Sequence, residues 1–312
     1  MRNLFPEAHP KPVYQLLWFL VIIFVVMLFT YLVGMVLAVP LFKMSIAELQ
    51  SAMGAQLSER QLSLMLYFQF ISQIGIFVLP PLFFGYLLKK NVKYFFHFDK
   101  MPRQRSLLYV FLIAFTILPV INILAHWNQQ MQLPEIFQHL QQWMEAREEV
   151  ARELTRLFLE RTSYGALAAN LLLIAVIPAI GEELFFRGVL QKVFTDWFSN
   201  AHAGIIITSV LFSALHMQFF GFLPRFVLGV LFGYYFYWSR SLWLPIFAHF
   251  INNGAAVVVA FLAARGSADV DYEEFGSYNQ ESTLVAIYFL LSMLLIFFVF
   301  RQEQVRTKKS RQ

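Results

Sequence analysis

Apolar runs long enough to cross a membrane recur along this chain, and they restrict its fold class before any single residue is considered. Eight are readable, near Val13–Val39, Leu62–Leu88, Ser106–Ala125, Ser163–Ile180, Ala203–Phe219, Phe222–Trp238, Leu242–Ala264 and Thr283–Phe300. Hydrocarbon offers no hydrogen bonds, so such runs satisfy their backbone only as helices. The expected fold is therefore all-α, a polytopic membrane protein with about eight transmembrane helices. Composition agrees: 59% of residues are hydrophobic and 14% charged, against about half and a quarter in soluble domains. The first run is too long for the core of a cleaved signal peptide and reads as an uncleaved span.

Charge is placed in the loops. The net charge of +5 comes from basic residues between apolar runs, which reads as membrane orientation rather than as a nucleic-acid surface. Lys89, Lys90, Lys93, Lys100, Arg103 and Arg105 follow the second run. Arg301, Arg306, Lys308, Lys309 and Arg311 follow the last. Eight spans put both clusters on one side, with Arg2 and Lys11, so both termini are expected to be cytoplasmic. The acidic stretch Asp269, Asp271, Glu273, Glu274 and Glu281 then falls outside. In a bacterial cell the membrane would be the plasma membrane. The chain has no cysteine, which excludes disulfides, thiolate zinc sites and a cysteine nucleophile.

One segment is not a span. From Pro134 to Arg161, Ile136, Leu140, Trp143, Met144, Val150, Leu154, Leu157 and Phe158 recur at helical spacing among Glu and Arg. This predicts an amphipathic helix on the outer membrane surface. It serves either as a lid or substrate guide, or simply as a connector.

The candidate chemistry lies on three apolar segments. Glu182 and Glu183 stand at the end of the run Asn170–Ile180, where each charge near a span centre costs about 2.5–3.5 kcal/mol. Arg187 is four residues beyond Glu183 and shares its helical face, which leaves Glu182 to find another partner. Phe212 and His216 lie one turn apart on the fifth run, and His249 and Asn253 one turn apart on the seventh. The four aspartates fall outside the apolar runs, so an intramembrane aspartyl dyad is absent. His-Glu-x-x-His and Gly-x-Ser-x-Gly are absent too. A carboxylate with two histidines and an asparagine suits activation of water: Glu182 as proton acceptor, His216 as second holder of the water, His249 and Asn253 as donors to an oxyanion. A zinc ion on Glu182, His216 and His249 is the alternative, three ligands plus water being the usual catalytic set.

Glu182-Glu183-x-x-x-Arg187, Phe212-x-x-x-His216 and His249-x-x-x-Asn253 together resemble the CPBP family of intramembrane proteases, which includes the type II CAAX prenyl endopeptidases and proteins of bacteriocin self-immunity. The resemblance covers about Ile180 to Gly254. It implies that Glu182 is the acid/base residue with His216 as its partner, that His249 and Asn253 serve the oxyanion or the water, and that Glu183, Arg187 and Phe212 support them. The implied activity is hydrolysis of a peptide bond within the membrane, in a lipidated or membrane-embedded substrate; with no soluble recognition domain readable, such a substrate is expected to arrive through lipid. The motifs leave metal dependence open. The chain then divides into a three-span region (1–130), the surface helix (131–162), a membrane core carrying the site (163–300) and a basic cytoplasmic tail (301–312). Two other readings remain: a non-catalytic scaffold or immunity protein of the same fold, and a proton-coupled transporter, which calls for paired broken helices. With a fourth span ending at Ile180, Glu182 and His216 sit at different depths. Their meeting requires an earlier start or tilt of that span, or an embedded Leu184–Phe198 with a break allowed by Pro178 and Gly181. The cavity is expected to open toward the cytoplasm.

Overall fold

The structure, a computed structural model, describes residues 11–45, 48, 59–89, 91–266 and 282–309, and no strand occurs among them. The acidic stretch Asp269–Glu281 and the basic residues Arg2, Lys90 and Arg311 lie outside the described residues. In chain order the helices are α1 (Pro12–Phe42), α2 (Arg60–Lys89), a short α3 (Val92–Phe95), α4 (Gln104–Thr116), α5 (Leu118–Gln129), α6 (Gln138–Leu159), α7 (Tyr164–Phe198), α8 (Ala201–Ala214), α9 (Phe222–Ser239), α10 (Trp243–Ala264) and α11 (Ser282–Lys309). The fold is all-α and polytopic, as the apolar runs imply.

The expected eight spans are not equal. Six helices, α1, α2, α7, α9, α10 and α11, are long and apolar enough to cross a membrane. The third predicted span is a pair, α4 and α5, bent by 44°. Pro119 at the start of α5 has no N–H to donate, and its ring displaces the carbonyl one turn back, so the ladder breaks there. The fifth is α8, whose 14 residues rise only about 21 Å against a hydrocarbon core of about 30 Å. The side chains of α1 mostly face outward: Trp18, Phe24, Phe29 and Val36 are each more than 60% exposed, as on a lipid-facing helix.

The fourth predicted span does not end at Ile180. One helix of 35 residues runs from Tyr164 to Phe198, with wide π-helical turns at Leu171–Val176 and Phe186–Leu190. Pro178 falls just after the first of these, which absorbs its missing hydrogen bond, so no break is needed. Ser199 then takes a left-handed conformation (φ 49), and the Asn200 side chain caps α8 by accepting from the N–H groups of His202 and Ala203. Glu182 and His216 lie roughly sixteen residues to either side of this turn, both about 25 Å from it. The long α7 thereby removes the difference in depth.

Parallel packing of α9 on α7 completes the frame. Arg187 Nη2 donates to the Gly229 carbonyl at 2.9 Å, and Gln191 Nε2 to the Gly233 carbonyl at 3.1 Å. Gly229 and Gly233 form a small-xxx-small stripe. A Cβ on Gly229 would lie 3.2 Å from both Phe212 Cδ1 and Ser209 Cβ, so a side chain there would press on α8. Below the site, Phe19, Phe84, Phe95, Phe96, Phe185, Phe186 and Phe236 share one core. Lys192 of α7 is buried among Phe95, Phe96 and Phe236, and its ammonium donates to the Phe95 carbonyl. The predicted amphipathic segment is α6, preceded by a 3-10 turn at Glu135–Phe137. The last two residues of α6, Phe158 and Leu159, are buried, while Leu140 and Val150, and Ile136 of the 3-10 turn, stay exposed.

Candidate active site

Glu183 is the structural centre. It is fully buried, and its Oε1 accepts from Arg187 Nη1 at 2.8 Å and from His249 Nδ1 at 2.9 Å. The first bond follows from the i,i+4 spacing on α7; the second joins α7 to α10. Arg187 is buried as well, 4.8 Å from the centre of the Phe212 ring and 5.5 Å from that of Phe232, so aromatic faces surround the guanidinium beside its ion pair. Phe232 also stacks on His249, at 5.3 Å and 27°.

These contacts fix the imidazole. Because Nδ1 of His249 donates to a carboxylate, Nε2 is left to face the other way, and it lies 3.9 Å from Glu182 Oε2. Among the described residues that Glu182 oxygen is buried without a hydrogen-bond partner. Adjacent carboxylates thus have separate surroundings: Glu183 is bound into the protein, whereas Glu182 is turned toward an imidazole it does not quite touch.

His216 lies two residues past the end of α8, in the turn before the left-handed Met217, rather than inside an apolar helix. Its Nδ1 donates to the Phe212 carbonyl at 2.7 Å, so its Nε2 also carries the free lone pair. Its ring is 5.1 Å from that of Phe212, which in turn is 6.1 Å from that of His249. Phe212 therefore packs against both histidines. In Asn253, one N–H of the amide is held by the Ile174 carbonyl of the π-helical turn at 2.9 Å, and the oxygen accepts from Asn252.

The zinc set Glu182, His216 and His249 is not drawn together as ligands. Among the described residues no three His, Asp or Glu side chains converge closely enough to hold a metal ion. His216 and His249 are each oriented through Nδ1 by a hydrogen bond of their own.

Sequence reasoning missed Phe232, Gln191 and Arg225. Phe232 carries no signal beyond an apolar pattern, and Gln191 stands past the apolar run Asn170–Ile180, where a polar residue draws no notice. Arg225 did carry one, being the only charge in the predicted span Phe222–Trp238. It stands in the first turn of α9, bonded to Gln218.

Comparison with known proteins places the likeness on this region. Residues 164–255 match the family model described as type II CAAX prenyl endopeptidase Rce1-like, a stretch that contains every motif position named above. The chain is similar to the uncharacterized protein YpbD of Bacillus subtilis (strain 168), at 30% identity over 86 residues, 26% of this chain and 41% of that protein. It thus spans about two-fifths of that relative's length. No solved structure matches. The resemblance carried by the three motifs is borne out.

Proposed function

We propose that this protein is an intramembrane endopeptidase that hydrolyses a peptide bond of a lipidated or membrane-embedded substrate with water activated by Glu182 and its histidines. The observation that supports it best is the Glu182 oxygen, buried without a partner among the described residues and 3.9 Å from His249 Nε2. Two atoms 3.9 Å apart are at a separation that one water can bridge with hydrogen bonds of about 2.8 Å to each. Glu182 takes its proton as the water oxygen attacks the carbonyl carbon, and returns that proton to the departing amine nitrogen. Glu183 holds His249 in the tautomer that leaves Nε2 available, a positioning role like that of the third member of a hydrolytic triad. Asn253 retains one amide N–H beyond the bond to Ile174 and supplies a donor for the oxyanion. His216, with Nε2 free, is the second group able to receive or hold a proton. No step passes through a metal.

Detergent-purified protein is incubated with a panel of lipidated and membrane-embedded peptides, comparing wild type, Glu182→Gln and His216→Ala, each with and without a strong chelator. Cleavage lost in Glu182→Gln and kept under chelator supports the mechanism. Cleavage lost to chelator and restored by zinc replaces it with metal catalysis. Cleavage undiminished in Glu182→Gln overturns the assignment of the base.

A further inference from the structure

The hydrogen bonds between α7 and α9 run in register, each joining residues 42 apart in sequence. One turn earlier the same offset sets Arg225 level with Glu183, on the same face of α9 as Gly229 and Gly233. His216, just beyond the end of α8, belongs to this level too, and it is among the groups that feel the field of Arg225, as Arg225 feels that of Glu148 first and of Glu182 second, neither at ion-pair distance. The segment that carries Arg225 is held from all sides. Glu148 of α6 accepts from the Phe220 N–H at 3.0 Å, Asn128 of α5 from the Leu223 N–H at 2.7 Å, and Ser213 of α8 donates to the Phe222 carbonyl at 2.7 Å.

The guanidinium itself is fixed rather than free to swing. Nη1 donates to the Gln218 carbonyl at 3.1 Å, and Nη2 donates to the Gln218 side-chain oxygen. A Cβ on Gly221 would lie 2.5 Å from Nη1, so the absence of a side chain there makes room for the head group. These bonds occupy two of its five N–H groups. Among the described residues no carboxylate comes within ion-pair distance of it. Arg187, by contrast, is already claimed by Glu183. A half-buried arginine fixed by neutral acceptors, with no counter-ion in contact, is arranged to receive an anion from outside the protein.

We propose that Arg225 is the substrate-anchoring cation of this site, and that it binds a carboxylate borne by the peptide beside the bond to be cut. This rests on the reading of Glu182 and His216 as the hydrolytic pair. The carboxylate is either a free chain terminus or an acidic side chain, and the fork geometry of guanidinium suits both.

The test measures binding separately from cleavage. The probes are N-palmitoylated fluorescent heptapeptides of one sequence in three forms: free C-terminal acid, C-terminal amide, and amide with one internal aspartate. Full-length protein in nanodiscs of zwitterionic lipid is titrated by anisotropy, as wild type, Arg225→Met and Arg225→Lys. Wild type is expected to bind at least one acid form about tenfold more tightly than the plain amide, or about 1.4 kcal/mol. Arg225→Met should abolish that difference while leaving amide binding unchanged, and Arg225→Lys should keep part of it. Which acid form is preferred identifies the source of the carboxylate. Equal loss for all three peptides in Arg225→Met and Arg225→Lys assigns the residue to the loop frame and overturns the proposal. So does a wild type with no acid preference, including one that binds none of the probes. An Arg225-dependent acid preference without cleavage would sink the protease reading and leave Arg225 as a carboxylate-binding residue only; cleavage without acid preference would overturn the anchor and leave the protease reading standing.

Discussion

His249 donates to the same Glu183 oxygen that accepts from Arg187, so one buried carboxylate oxygen joins α7 to α10 and holds the imidazole that faces Glu182. The neighbouring acids should therefore fail differently when mutated. Removing Glu183 strands a buried arginine and frees His249, and breaking a buried pair costs about 3–5 kcal/mol. Glu183→Ala should lower the thermal midpoint in detergent sharply, whereas Glu182→Gln should leave it nearly unchanged while removing cleavage. A Glu183→Ala protein as stable as wild type would contradict the central role of this contact.

The close approach of α9 gives a second prediction. Gly229→Leu places a side chain where even a Cβ lies 3.2 Å from Phe212, and overpacking of this kind costs about 1–3 kcal/mol. Because the Phe212 ring packs against both His216 and His249, cleavage should fall as well as stability. Circular-dichroism melting beside an activity assay separates the two losses, and a silent Gly229→Leu would show that the stripe is slack.

Asn253 tests the π-helical turn. Asn253→Ala leaves the Ile174 carbonyl without the donor it has now, and an unsatisfied buried acceptor costs about 1–3 kcal/mol. Hydrogen exchange should speed up at Leu171–Val176 more than elsewhere in α7. Unchanged protection there would show that the asparagine does not secure the turn.

Acid pH should act through His97, which lies in the loop between α3 and α4. Burial, with Lys192, Lys100, Arg240 and Lys89 adding to it, pushes its imidazole down to about 2. The folded protein thus keeps it neutral while the unfolded chain accepts a proton below about 6.5. Its share of stability is fully present above that value and is lost as pH falls from about 6.5 toward 2. The thermal midpoint should drop between pH 7 and 5 by less in His97→Asn, which also tolerates the left-handed backbone there (φ 55). Identical pH slopes in the two proteins would refute the assignment.

Much of the site was legible in the sequence because it is written in helical spacing. The Glu183–Arg187 pair needs only i,i+4 on a helix, and His249 is marked by standing inside an apolar run. The tertiary facts were not so written. Which acid His249 would choose depends on the rotation of α10 against α7. Pro178 and Gly181 look like a break, yet a π-helical turn accommodates the proline, and Gly181 is where Phe77 and Val78 of α2 press against α7, both 3.0 Å from a built Cβ. Span length misled for the same reason: a hydropathy window ends at Glu182, but the helix continues because each polar group beyond it, Arg187, Gln191 and Lys192, finds a partner on another element.

The i,i+4 bond between Glu183 and Arg187 also bears on how the protein is made. His249 follows Glu183 by 66 residues, so on a ribosome α7 emerges well before α9 and α10 can supply any contact. A carboxylate entering lipid alone carries the insertion penalty of a bare charge. With Arg187 one turn away, α7 brings its own neutralising partner and can be handed to the bilayer as a self-sufficient segment. The bond from His249 is then added to a pair that already exists, so the chemistry-bearing geometry is completed only when the later helices arrive, after the hazard of burying the charge has passed.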